Sequence, residues 1–144
     1  MKYNILSVLA ILTSTLVVNA QQTSLYDSQG EARAYIDFDE EATIFMWDGT
    51  PVAFLEKDGR DICVFGFNGT FMGWYEDGII YDKKGYAVAA REGATNMSLR
   101  SERSKGSQRS TPSRPSTPST PSQPSWKSSW SSTSLTEFLY FGKK

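Results

Sequence analysis

Four glycines divide most of residues 25–91 into copies of one short pattern, and nothing else in the chain restricts its fold as much. Around Gly30 the sequence reads LYDSQGEARAYI, around Gly49 IFMWDGTPVAFL, around Gly69 VFGFNGTFMGWY and around Gly85 IYDKKGYAVAAR. Five residues before each glycine stands an aliphatic residue (Leu25, Ile44, Val64, Ile80), followed by an aromatic one (Tyr26, Phe45, Phe65, Tyr81). Four residues after each glycine the side chain is always small: Ala34, Ala53, Gly73 and Ala89. Next come Tyr35, Phe54 and Trp74, but Ala90 in the last copy. The glycines are 19, 20 and 16 residues apart, the signature of an internal repeat.

Each copy reads as strand, tight turn, strand. Asp-Gly and Asn-Gly are the strongest short hairpin signals, and the flanking residues are branched or aromatic, as strands prefer. The spacing predicts a two-residue primed turn with a glycine at positive φ. Pro51 cannot donate a ladder hydrogen bond, so it must lie on an edge or point away from a partner strand. One hairpin is marginal in water, so four must bury a face against one another. The invariant small residue implies close approach there, which a pseudo-four-fold radial arrangement of hairpins with short, protected edges would satisfy.

Residues 1–20 carry Lys2, an apolar run and the ending Val18-Asn19-Ala20, the pattern of a cleaved signal peptide. The chain is therefore expected to be exported to a periplasmic, cell-surface or extracellular place, with no transmembrane segment after cleavage. Cys63 is the single cysteine, so no internal disulfide can form and packing alone must stabilise the domain. The apolar run around Cys63 marks it as a buried small hydrophobe. With no histidine in the chain, Cys-His pairs, Ser-His-Asp triads and His-bearing zinc sites are excluded. Residues 21–96 hold 14 acids against 6 bases, residues 97–144 hold 2 against 8, so the two parts attract each other.

The four-copy pattern from Leu25 to about Arg91 resembles the four-fold β-flower domain of exported bacterial proteins. The resemblance implies an all-β fold and, since that family carries no established activity, no particular chemistry. Ala90 departs from the pattern where an aromatic is expected. A second, local resemblance links GWYEDGIIYDKKGYAV to the aromatic-glycine repeats of choline- and glucan-binding cell-wall modules.

Acidic residues gather at Asp37, Asp39, Glu40 and Glu41, at Asp58 and Asp61, and at Glu76 and Asp77, between the repeats. Calcium takes several oxygen ligands, and such loops can supply them, although their spacing is not that of an EF-hand. Charged links that keep a small β-protein soluble are the plainer reading, so no cofactor is expected and calcium is the one candidate. A carboxylate hydrolase needs two acids across a cleft, for which hairpins this short offer little depth. Among the aromatics, Trp47, Phe67, Trp74 and Tyr75 are the candidates for a ligand platform. In a small domain without disulfides such rings are first of all core. Trp47 and Phe67 precede the turn dipeptides, so they are the two expected nearest the surface. Asn68-Gly-Thr70 and Asn96-Met-Ser98 match a glycosylation sequon, the first better explained by its turn.

Residues 111–125 are five x-Pro-Ser triplets, and polyproline II has three residues per turn. Residues 97–133 are therefore read as a disordered linker, basic and then rich in Ser, Thr and Pro. Residues 134–144 turn apolar again: Ser134 and Glu137 form a capping box for a short helix whose Leu135, Phe138 and Leu139 share a face. That segment is expected to dock on the β-domain of residues 21–96 or on another protein. The combined reading is a non-catalytic exported β-module that contacts a protein or surface. The alternatives are a carbohydrate- or cell-wall-binding module and a carboxylate-based hydrolase. The partner is an unknown protein or cell-surface glycan, and nucleic acid does not suit an exported chain.

Overall fold

Each glycine-centred unit folds as a hairpin in the computed structural model, which describes residues 21–144; the signal peptide read at residues 1–20 lies outside the described residues. The strands are β1 (Gln22–Tyr26), β2 (Ala32–Asp37), β3 (Thr43–Met46), β4 (Pro51–Asp58), β5 (Asp61–Gly66), β6 (Phe71–Glu76), β7 (Ile79–Asp82) and β8 (Ala87–Ala90). Neighbours in sequence pair antiparallel, and Tyr26 of β1 meets Ala90 of β8, so the radial set of hairpins is a closed eight-stranded barrel. Closure leaves no edge. Pro51 is accommodated as the first residue of β4.

The turns are longer than the two residues expected. Gly30 donates its amide to the Asp27 carbonyl at 3.0 Å, while Asp27 donates to Glu31 at 2.9 Å, which encloses a three-residue loop. Gly49, Gly69 and Gly85 repeat this with Met46, Gly66 and Asp82. The glycines take φ of 80, 95, 90 and 91°, the left-handed position that follows a type I turn in three-residue hairpins. A side chain in each turn accepts the amide two residues on, from Gln29, Thr50, Thr70 and Lys84. The Asp27 and Asp82 carboxylates also reach forward four residues, to the Glu31 and Tyr86 amides.

Inside the barrel the aliphatic and small positions face each other as registered pairs: Leu25 with Ala34, Ile44 with Ala53, Val64 with Gly73, Ile80 with Ala89. All eight residues are fully buried apart from the glycine's missing side chain, and large and small alternate around the ring. An eight-stranded barrel has an interior just wide enough to be filled by side chains, so every large residue needs a small neighbour. Close approach is thus the reason for the invariant smallness. Helix α1 (Leu135–Tyr140) plugs the turn end, adding Leu135, Phe138 and Leu139 to this core. Ser134 Oγ caps it by accepting from the Glu137 amide at 3.1 Å. Gly142 follows against Gly66, where a Cβ on Gly66 would lie 2.3 Å from the Gly142 Cα.

Strand alternation sends the other half of the pattern outward. Tyr26, Tyr35, Phe45 and Trp47 form one outer cluster, and Phe54, Phe65, Phe67, Phe71 and Trp74 another, both on the outside of the barrel. Residues 97–133 cover them. The expected disordered linker is instead a strap, nearly without regular structure yet seated on the barrel. Met97 and Leu99 pack on the first cluster and Trp126 on the second. A basic tail on an acidic barrel, over rings that nothing else covers, has both charge and apolar burial to hold it.

The strap is registered on the turns. Arg100 donates its amide to the Gly30 carbonyl, Arg109 to Gly49 and Lys127 to Gly85, each at 2.9 Å. Arg100 and Arg109 are nine residues apart, and Lys127 stands eighteen further on, with Pro118 midway and unable to donate. Nine residues are three turns of polyproline II, ~28 Å of chain, so one face can meet successive hairpins. The serines obey the same period: every third residue from Ser98 to Ser134 is serine, and those from Ser98 to Ser128 are all exposed.

Candidate functional site

Three of the four aromatics singled out as a ligand platform are buried. Trp47 is 8 % exposed, Phe67 2 % and Trp74 1 %, because the strap and the neighbouring rings cover them. The expectation that Trp47 and Phe67 lie at the surface is therefore corrected. Trp47 donates its indole N–H to the Arg103 carbonyl at 3.0 Å, and Lys105 sits 4.4 Å from the Tyr35 ring centre and 5.0 Å from that of Trp47. Trp126 stacks on Tyr81 at 4.4 Å and meets Trp74 edge-on at 5.6 Å. Tyr75 is half-buried against the inner core. Trp47 and Trp74 are thus taken up by this chain's own strap.

The acidic clusters lie in the links at the pole opposite the turns, on separate connections. Among the described residues no three Asp, Glu or Cys side chains converge as a cation site would require. Asp37 is buried, but its carboxylate is taken up by the Gln22 and Gln108 amides and the Asp39 N–H, at 3.1, 2.7 and 3.0 Å. No helix among the described residues is long and apolar enough to cross a membrane.

One ionisable cluster holds the strap. Glu102 accepts from Ser24 Oγ at 2.5 Å and from the Tyr26 hydroxyl at 2.9 Å. The Ser24 hydrogen bond holds the Glu102 carboxyl below its ordinary range, against burial and with help from Tyr26. Burial, with Glu102 beside it, pushes the Tyr26 phenol up to about 12. The signs are opposite. Glu102 contributes stability above the carboxylate range that is lost as pH falls through its lowered value; Tyr26 contributes stability that is full below pH 10 and lost as pH rises toward about 12. Trp47 fluorescence against pH should show the strap loosening at both limits. Tyr26→Phe should flatten the alkaline step; an unaltered step would place its origin elsewhere.

Cys63 reports on the same cover. It is fully buried in the outer cluster with Phe65 and Trp74, and burial among Asp58, Asp61 and Glu56 pushes its thiol up to about 11. A thiol so protonated and enclosed is a poor nucleophile. Alkylation at neutral pH should be slow in the native protein and at least ~10-fold faster in Trp126→Ala, since opening by ~1.4 kcal/mol less is a tenfold change. Equal rates would show that Trp126 does not hold the strap down.

A groove of about 900 Å³ lies open between the third and fourth turns, α1 and the end of the strap. Phe71, Tyr86, Trp130, Phe138 and Phe141 supply its apolar lining, and Lys83 and Lys84 supply positive charge. Asp82 is also there, but its carboxylate accepts the Lys84 and Tyr86 amides at 3.0 and 2.9 Å. Phe141 is 70 % exposed at the rim. At its edge the third turn is engaged differently from the rest: Asn68 donates its amide to the Gly142 carbonyl at 3.2 Å and its side chain to the Phe141 carbonyl at 2.5 Å. Sequence reasoning missed these residues because they come from three distant segments; the apolar Phe138-Leu139-Tyr140-Phe141 run, longer than one helix face needs, was the available signal.

No curated protein and no solved structure matches the chain. The family model described as "4-fold beta flower protein" matches residues 23–139, which take in all of the barrel but the first residue of β1, the strap and nearly all of α1. The chain belongs to the 4-fold beta flower protein family.

Proposed function

We propose that this protein is an exported, non-catalytic interaction module that engages its partner through the groove beside Phe141. The observation that carries this reading is the exposure of Phe141 next to Lys83 and Lys84, on a barrel whose outer aromatic clusters are covered. The filled interior and the engaged Asp82 carboxylate support a binding role over a hydrolytic one. The ligand-platform form of the carbohydrate reading loses its support with the burial of Trp47, Phe67 and Trp74.

Residue-resolved NMR titration with soluble cell-wall glycans and with peptide pools tests it. Shifts centred on Phe141, Tyr86 and Lys84, absent in Phe141→Ser, are expected for a true ligand. Shifts that spare the groove, or turnover of the ligand, would defeat the proposal. Export rests on the leader at residues 1–20, and the N-terminus of protein isolated from outside the cytoplasm should begin at Gln21.

A further inference from the structure

We propose that the groove receives the Phe38 projection of a second copy of this chain, joining copies head to tail. The inference rests on the groove being a binding site and names its occupant. Among the described residues the exposed large hydrophobic ones are Phe38 at 43 %, Tyr140 at 40 % and Phe141 at 70 %. Phe141 rims the groove at the turn pole, whereas Phe38 lies in the β2–β3 link at the other pole.

The charges around these two apolar points are opposite. Lys83 and Lys84 enter no ion pair among the described residues. Asp39, Glu40 and Glu41 flank Phe38, are exposed, and are equally without an ion pair there. An acidic projection with an aromatic at its centre thus faces away from one copy, and a basic groove with an aromatic rim opens on the opposite side. Phe38 against Phe141, with Asp39 and Glu40 toward Lys83 and Lys84, satisfies both.

The projection is held in shape before any contact. Asp37 accepts the Asp39 amide at 3.0 Å, and the Arg114 guanidinium of the strap donates to the Glu41 carbonyl. Glu41 and Ala42 are both held at left-handed φ, 54 and 57°. A fixed projection loses little freedom on docking, so modest contacts suffice. At about 900 Å³ the groove is within the size range of sites that hold ligands of a few side chains. Because donor and acceptor surfaces differ and sit at opposite poles, the contact is heterologous and builds open chains. So small a contact makes the association weak and concentration-dependent.

Sedimentation of the whole protein across a concentration series, at low and high salt, is the test. The average mass should climb with concentration without a plateau at dimer, and less so at high salt. Phe38→Ser and the double variant Lys83→Glu/Lys84→Glu should each stay monomeric. Mixed one to one, they should form dimers and nothing larger, since only one intact projection and one intact groove remain per pair. A wild type that stays monomeric, variants that polymerise like it, or a mixture that gives no dimer would each overturn the proposal. A monomeric protein whose groove still binds another ligand, with loss in Phe141→Ser, would leave the proposed function standing and remove only this occupant.

Discussion

A chain ending at Asn96, with all eight strands but no strap, is expected to lose cooperative folding. Its inner core would lack Leu135, Phe138 and Leu139, and its outer rings would face water. Tyr35, Phe45, Phe54, Phe65 and Trp74 are each at most 2 % exposed in the intact protein. Covering one side chain of this size is worth about 1.5–3 kcal/mol. Even partial uncovering of five such rings removes a sizeable share of the ~5–15 kcal/mol net stability of an ordinary domain. The exposed rings would also form a continuous apolar surface, a liability for aggregation. A chain ending at Thr133 separates the two losses. It keeps the strap and should melt cooperatively, but at a lower temperature, because deleting one buried leucine already costs ~2–5 kcal/mol. Near-ultraviolet circular dichroism and calorimetry measure both. A sharp, native-like transition in the Asn96-terminated chain would show that the strap is decoration and the barrel self-sufficient.

The hairpins were legible because their signals are local. Asp48-Gly49 and Asn68-Gly69 mark turns, and Leu25 with Ala34 or Ile44 with Ala53 betray a shared register through size alone. The turn length was not, because glycine takes positive φ in both two- and three-residue loops. The outcome depends on Asp27, rather than Ser28, pairing with Glu31, and residue types do not encode that. Closure was also hidden: one pair, Tyr26 with Ala90, joins residues 64 positions apart. The strap was misread because Ser, Thr and Pro serve a free spacer and a bound one equally well. Its distinguishing mark was the serine period running from Ser98 to Ser134, well beyond the five Pro-Ser triplets. Trp47 and Phe67 followed from that error, since turn-flanking rings are exposed only if nothing is laid across them. The groove depends on Lys83, Lys84 and Phe141 meeting in space, which a linear pattern does not reveal.

Gly73→Ala should be among the most destabilising single methyl additions in this protein. The position is the one place in the inner ring where the small member of a pair is glycine rather than alanine, opposite Val64. A Cβ there would lie 1.9 Å from the Tyr81 carbonyl oxygen and 3.1 Å from its carbon. The obstacle is backbone of the adjacent β7, so no rotamer change relieves it, and in a closed ring β7 cannot move without widening the barrel. Overpacking a well-filled core costs ~1–3 kcal/mol, occasionally more, and an atom set against main chain belongs at or beyond the upper end. Gly59→Ala provides the contrast. Gly59 has φ of 64° and nothing within 4 Å of an added Cβ, so only left-handed strain of ~1–2 kcal/mol opposes it. Urea midpoints of the two variants should therefore differ clearly, with Gly73→Ala the lower and its Cys63 thiol alkylated faster. If Gly73→Ala equalled Gly59→Ala, the ring would have slack, and smallness four residues after each turn glycine could not be what sets the barrel's width.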